Sequence, residues 1–213
     1  MRVAPGPLRT ASDYPANTLL AAVLGGGFTS RINMNLRERM GVAYGARGGF
    51  SYGRDHGLFV VSAQVQAEAA YQALREIHGE VEALAAGRAP VTPDELAREQ
   101  AGRVRALPGR FATAQAALCQ YRVLVYYGLP LDTFATYADR ITAVSIDDIA
   151  HAAAAHLGAE PARYLIVGDG RAPVRGDAGS RRPLADALSA LVESGDVGGG
   201  ALVTLDADGT PRN

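Results

Sequence analysis

Two donor-bearing side chains flank one glycine in the stretch Leu24 to Gly53, LGGGFTSRINMNLRERMGVAYGARGGFSYG. Gly41 is where a helix wants a left-handed C-terminal residue, because only glycine enters that region without steric cost. Arg37 therefore lies in the last turn of the helix and Tyr44 at the start of the strand that folds back from it. A guanidinium presents a planar fork to carboxylates and carbonyls, and a phenol keeps its proton at neutral pH. Held near one chain reversal, the two are candidate donors to a shared ligand. Read from the residues alone, the plainer account of a solvated helix residue and a half-buried strand aromatic has more weight.

The remaining reactive groups are scattered. His56 falls in a turn, His78 beside Gly79 on a long helix, and His151 and His156 on a late helix. Two zinc ligands on one helix need i, i+4 spacing and a nearby glutamate; here the spacing is five, with no acid between. Neither H-E-x-x-H nor H-x-x-E-H occurs, so no metal site is expected in this chain. Gly25, Gly26, Gly27 and Phe28 lead into a helix that Ser30 can cap. Free amides there could cradle an anion, but the Gly-Lys-Ser/Thr ending and preceding strand of a nucleotide loop are absent. A tight turn, or backbone left open to a peptide, is the better reading. The single Cys119 excludes an internal disulfide and reads as a small core hydrophobe on a helix.

These residues need elements to position them. Residues 3–11 hold two prolines and a glycine, which predicts a leading loop or short edge strand. Ser12 or Asp13 caps a helix with Pro15 in its first turn, and Gly25 to Gly27 stop it. The Ser30–Met40 helix sets Ile32, Leu36 and Met40 on one stripe. Residues 43–53 alternate as a strand with Tyr44, Ala46, Gly48, Phe50 and Tyr52 on one face; Arg54 to Gly57 make a hairpin turn, and Leu58–Gln66 is the partner. Ala67–Ala86 is the most regular helix, through Ala70, Leu74, Ile77, Val81 and Leu84. Thr92, Pro93 and Glu95 start the next. Phe111–Tyr127 is read as a helix with Phe111, Ala114, Leu118 and Val125 inside, followed by short helices at 132–142 and 145–157. RYLIVG (163–168) is read as a buried strand, 171–182 as a surface loop, 183–193 as a helix and 201–205 as a last strand. The organisation expected is 1–170, a loop at 171–182, and 183–213 as a C-terminal helix, possible strand and polar tail. The class is α+β: a mainly antiparallel sheet with helices packed on one face.

Composition narrows the function. A net charge of -1 and a pI near 6.4 argue against nucleic acid and membrane-surface partners. All 21 basic residues are Arg, which fits a composition bias better than a function. No apolar run reaches the roughly 20 residues that span a bilayer, and MRVAPGPLRT has no signal-peptide core.

LGGGFTSRINMNLRERMGVAYGARGGF resembles the second, non-zinc half-domain of insulinase or pitrilysin-type zinc metallopeptidases, a family that includes the mitochondrial processing peptidase and paired bacterial proteins. The hallmark is Arg37 followed seven positions on by Tyr44, with a glycine-terminated helix between. The likeness continues through the hairpin, VTPDEL and RYLIVGDG, covering about residues 12–170. It implies an α/β unit facing a second unit around an extended peptide, with zinc and the glutamate base on an H-x-x-E-H helix of that other half or subunit. By the same resemblance Tyr44 donates to the oxyanion, Arg37 holds a backbone carbonyl, and Gly25, Gly26, Gly27 and Phe28 contact substrate or the opposing half. The chain lacks the zinc motif, so it is expected to be inactive alone. It departs from the family in leading almost directly into the first helix, so the sheet is expected to be truncated at its N-terminal strand. The alternatives are a non-catalytic assembly subunit, as in the core subunits of the cytochrome bc complex, or a peptide-binding module. The compartment stays open between bacterial cytoplasm and periplasm.

Overall fold

The computed structural model describes residues 1–158, 162–176, 180–198, 200–206 and 208–211. The α+β arrangement stands: a four-stranded antiparallel sheet in the order β2-β3-β1-β4, with helices packed against it. The segment read as a leading loop or edge strand is an internal strand. β1 (Arg2–Gly6) precedes the first helix and lies inside the sheet, between β3 (Gly57–Val65) and β4 (Arg163–Tyr164). Among the described residues β4 pairs with β1 at Arg2 and Val3.

α1 (Tyr14–Gly25) carries Pro15 in its first turn as expected, but Asp13 makes no capping bond. Its carboxylate instead meets His156 at 2.6 Å. α2 (Arg31–Asn33) runs into a π-helical segment, Met34–Arg39, and Gly41 then adopts φ +66. β2 (Ala43–Tyr52) forms the hairpin with β3, whose Phe59 and Val61 are fully buried. α3 (Ala70–Ala85) buries Leu74, Ile77, Val81 and Leu84, each Leu or Ile contributing about 1.5–3 kcal/mol. α4 (Pro93–Ala106) starts with a full capping box between Thr92 and Glu95, and α7 (Ile146–His156) repeats the device with Ser145 and Asp148. α6 (Tyr137–Thr142) is shorter than the 132–142 reading.

Three expectations fail. α5 (Ala114–Tyr127) buries only Leu124; Leu118 and Val125 are 62% and 70% exposed, and Cys119 is half-buried rather than core. A helix apolar on nearly every side carries no phase information, so periodicity could not orient it. Among the described residues RYLIVG pairs as strand at Arg163 and Tyr164, with one more bond from Leu165 N–H to the Met1 carbonyl, and Val167 is 91% exposed. Among the described residues, 201–205 form no strand beyond a bridge between Leu205 and Pro211.

Within 171–182, β5 (Pro173–Arg175) pairs with β6 (Arg181–Pro183), and residues 177–179 lie outside the described set. Val174 is fully buried in a second cluster with Tyr71, Leu74 and three leucines of α8 (Leu184–Ser194): Leu184, Leu188 and Leu191. Arg175 and Arg181 both pair with Glu68, fastening this hairpin to the approach of α3.

Candidate functional site

Arg37 and Tyr44 are positioned by two backbone irregularities, not by regular periodicity. In the π-helical segment the Met40 N–H bonds to the Asn35 carbonyl at 3.0 Å, five residues back, and the Val42 N–H to Leu36 O at 3.0 Å. The wider turn ends the apolar stripe early: Ile32 and Leu36 are buried, while Met40 is only partly so. Across the reversal, β2 pairs Ala43 with Val65 but Gly45 with Gln64, so a bulge inserts Tyr44. Strict alternation groups Tyr44 with Ala46; the bulge separates them, leaving Ala46 buried and Tyr44 92% exposed. Among the described residues Tyr44 makes no side-chain hydrogen bond and no ring contact.

Arg37 is partly covered. Its guanidinium lies 4.9 Å from the centre of the Phe28 ring and 3.3 Å from the Glu38 carboxylate. Phe28 is itself 74% exposed, so this cation-π pair stands on the surface. Phe28 and Arg37 are thus brought together, whereas Tyr44 stands free of both.

The four loop residues separate into two kinds. Gly25 is buried at the end of α1, and a Cβ there would come within 2.3 Å of the Gly48 backbone nitrogen. There it lets helix and strand pack closely. Gly26, Gly27 and Phe28 are exposed, and a Cβ on Gly27 would meet nothing within 4 Å.

Asn33 is the positioning residue that sequence reading missed. It is 3% exposed; its Nδ2 donates to the Phe28 carbonyl at 2.8 Å, and its Oδ1 accepts from the Ala46 N–H at 3.0 Å. One buried amide thereby links the glycine loop to the strand that carries Tyr44. The only sequence signal was a polar residue beside Ile32 on an otherwise apolar face.

The helix bearing Arg37 is anchored at its other end by Arg31. Its guanidinium donates to both Glu95 oxygens at 2.8 and 2.7 Å, and to the Ala89 and Pro90 carbonyls at 2.6 and 2.8 Å. The Arg31 bonds, with help from the Thr92 N–H, hold the Glu95 carboxyl down from 4.5 to about 2. A lowered folded pKa means that the stabilisation is fully present above pH 4.5 and is lost as pH falls toward 2. Glu95→Gln is expected to cost roughly 1–3 kcal/mol at neutral pH. That difference from wild type should shrink as urea melts are repeated down to acid pH; a pH-independent difference would show that Glu95 charge is not the cause.

The histidines serve elsewhere: His156 meets Asp13, and His78 Nδ1 lies 2.6 Å from the Tyr164 hydroxyl. Among the described residues no group of three or more His, Cys, Asp or Glu is placed to hold a metal, and no helix is long and apolar enough to cross a membrane.

Residues 3–103 match the family model described as the peptidase M16 inactive domain. A solved peptidase M16 inactive domain from Pseudomonas fluorescens superposes with a TM-score of 0.66 at 26% identity, over 76% of this chain and 38% of that one. A candidate zinc protease from Bordetella pertussis Tohama I gives 0.66 at 22% identity, over 78% and 92%. A chain of complex III2 from Candida albicans shares the fold at 0.61 and 14% identity, over 72% of this chain and 38% of that one. This chain therefore spans well under half the length of the Pseudomonas chain. No curated protein matches it. The likeness read from the sequence, to the non-zinc half of insulinase-type peptidases, agrees with these matches.

Proposed function

Taking the match of residues 3–103 to the peptidase M16 inactive domain as premise, we propose that this chain is the non-zinc half of an insulinase-like peptidase. It complements a half-domain or subunit that bears H-x-x-E-H and the zinc. The carrying observation is Tyr44: a large aromatic that a bulge turns out of the sheet to 92% exposure, its hydroxyl unengaged among the described residues. Placing that ring in water forgoes a burial worth about 1.5–3 kcal/mol, which a donor aimed at a ligand explains better than a fold element does.

In this reading an extended peptide lies between the two halves. The zinc of the partner supplies the polarising charge and activates water. Tyr44 donates its phenolic proton as a hydrogen bond to the scissile carbonyl oxygen as negative charge develops there. Arg37, steadied on Phe28, donates to a neighbouring peptide carbonyl and fixes the register of the chain. Gly26 and Gly27 leave room for backbone to approach.

The test is complementation. Alone, this chain should not cleave peptides; mixed with its H-x-x-E-H partner it should restore zinc-dependent cleavage, abolished by chelation. A stable complex with the partner that shows no cleavage of any peptide library would favour the assembly-subunit reading instead.

A further inference from the structure

Three charged side chains of both signs line one cavity, and none of them pairs with another. The cavity, about 270 Å³, lies between the approach to α1 and the turn ahead of α6, with Arg9, Asp132 and Arg140 in its wall. Arg9 rests over the Tyr14 ring at 3.5 Å. Among the described residues neither guanidinium has a carboxylate within ion-pair distance, and the Asp132 carboxylate accepts no hydrogen bond. The neighbouring Asp13 is already engaged by His156. Hydroxyls of Thr10, Ser12 and Thr136 share the wall, while that of Thr133 is held by the Pro130 carbonyl.

The sign pattern selects a ligand class. A simple anion entering the cavity meets Asp132, and a simple cation meets two guanidiniums; each loses part of its attraction to a like charge. A molecule carrying both charges satisfies all three groups at once. We propose that this cavity binds a small zwitterion, a free amino acid or a dipeptide with unblocked ends. Its carboxylate sits toward Arg9 and Arg140, where fork-shaped donors suit it. Its ammonium sits toward Asp132, and the hydroxyls complete the hydrogen bonds.

The site is separate from Arg37 and Tyr44. It lies at the start of the 12-residue α1, about 18 Å along the axis from the glycine loop that follows the other end. It stands on its own geometry and does not need the peptidase reading.

Amide NMR titration of the full chain tests it, with alanylalanine against N-acetylalanine, alaninamide and inorganic phosphate as probes. The expected result is saturable shifts confined to residues 9–12 and 129–140 with alanylalanine, and binding weakened about tenfold or more when either end of the ligand is blocked. Arg140→Gln and Asp132→Asn replace exposed side chains, so the fold should persist, as an unchanged melting temperature would verify. Each should weaken alanylalanine by a similar factor, and Asp132→Asn should strengthen N-acetylalanine. Phosphate or N-acetylalanine binding wild type as tightly as alanylalanine would reduce the cavity to a plain anion site and overturn the proposal. Absence of saturable shifts, or indifference to both substitutions, would overturn it as well.

Discussion

Tyr44→Phe is expected to lower kcat of the complemented enzyme about 10²–10³-fold with KM nearly unchanged, the usual loss when one oxyanion donor is removed. The substitution deletes a single oxygen from a ring that is 92% exposed and makes no side-chain hydrogen bond among the described residues. Its effect on folding should therefore be within about 0.5 kcal/mol, and assembly with the partner should be intact. This separates chemistry from architecture: an assembly subunit would tolerate Phe at position 44 without consequence. Arg37→Ala should act differently, because in the proposed mechanism it would remove a carbonyl donor used in the ground state as well as the transition state. A rise in KM together with a fall in kcat is expected. It also strips the cation from Phe28, a surface contact worth about 0.5–1 kcal/mol. Unchanged kinetics in both variants would remove the pair from the mechanism.

Gly25→Ala is expected to be the most damaging single-methyl change in the glycine loop. The new Cβ would lie 2.3 Å from Gly48 N and 2.5 Å from Gly48 Cα, both main-chain atoms that no rotamer change can move aside. Alanine gains at most about 1 kcal/mol over glycine in helix propensity, whereas overpacking a tight contact costs typically 1–3 kcal/mol and occasionally more. The clash should win, because relief requires α1 to separate from β2 along their whole contact. A net loss of roughly 2 kcal/mol corresponds to a fall in Tm of about 4–8 °C for a chain of this size. Gly27→Ala is the control: its Cβ would meet nothing within 4 Å and its φ is not in the left-handed region. Thermal melts should show it near wild type. Equal melting temperatures for the two variants would contradict the packing argument.

Elements whose signals are local were legible in the residues. The Thr92–Glu95 capping box, the left-handed Gly41 and the turn between β2 and β3 depend on contacts a few positions apart, and they form where the residue types require. The α3 stripe was equally plain, since its apolar residues repeat at one period and face one core. The 171–182 segment was harder. Its prolines, glycines and charges indicate turns, but nothing local reveals that Val174 enters the cluster under α8.

By itself, then, the sequence determined the α+β class, the capped start of α4, the glycine-terminated reversal and the likeness that singles out Arg37 and Tyr44. Tertiary structure decided where those side chains stand. A π-helical turn and a β-bulge each insert a residue against the regular period, and such insertions arise from strand register and long-range bonds such as Asn33 to Ala46, which no spacing encodes. For the same reason only the folded chain shows Gly25 pressed on Gly48, twenty-three positions away, and Arg9 sharing a cavity with Asp132 and Arg140. Local propensity fixes dihedral angles within a few residues; proximity between distant residues is set by which apolar faces must be buried together.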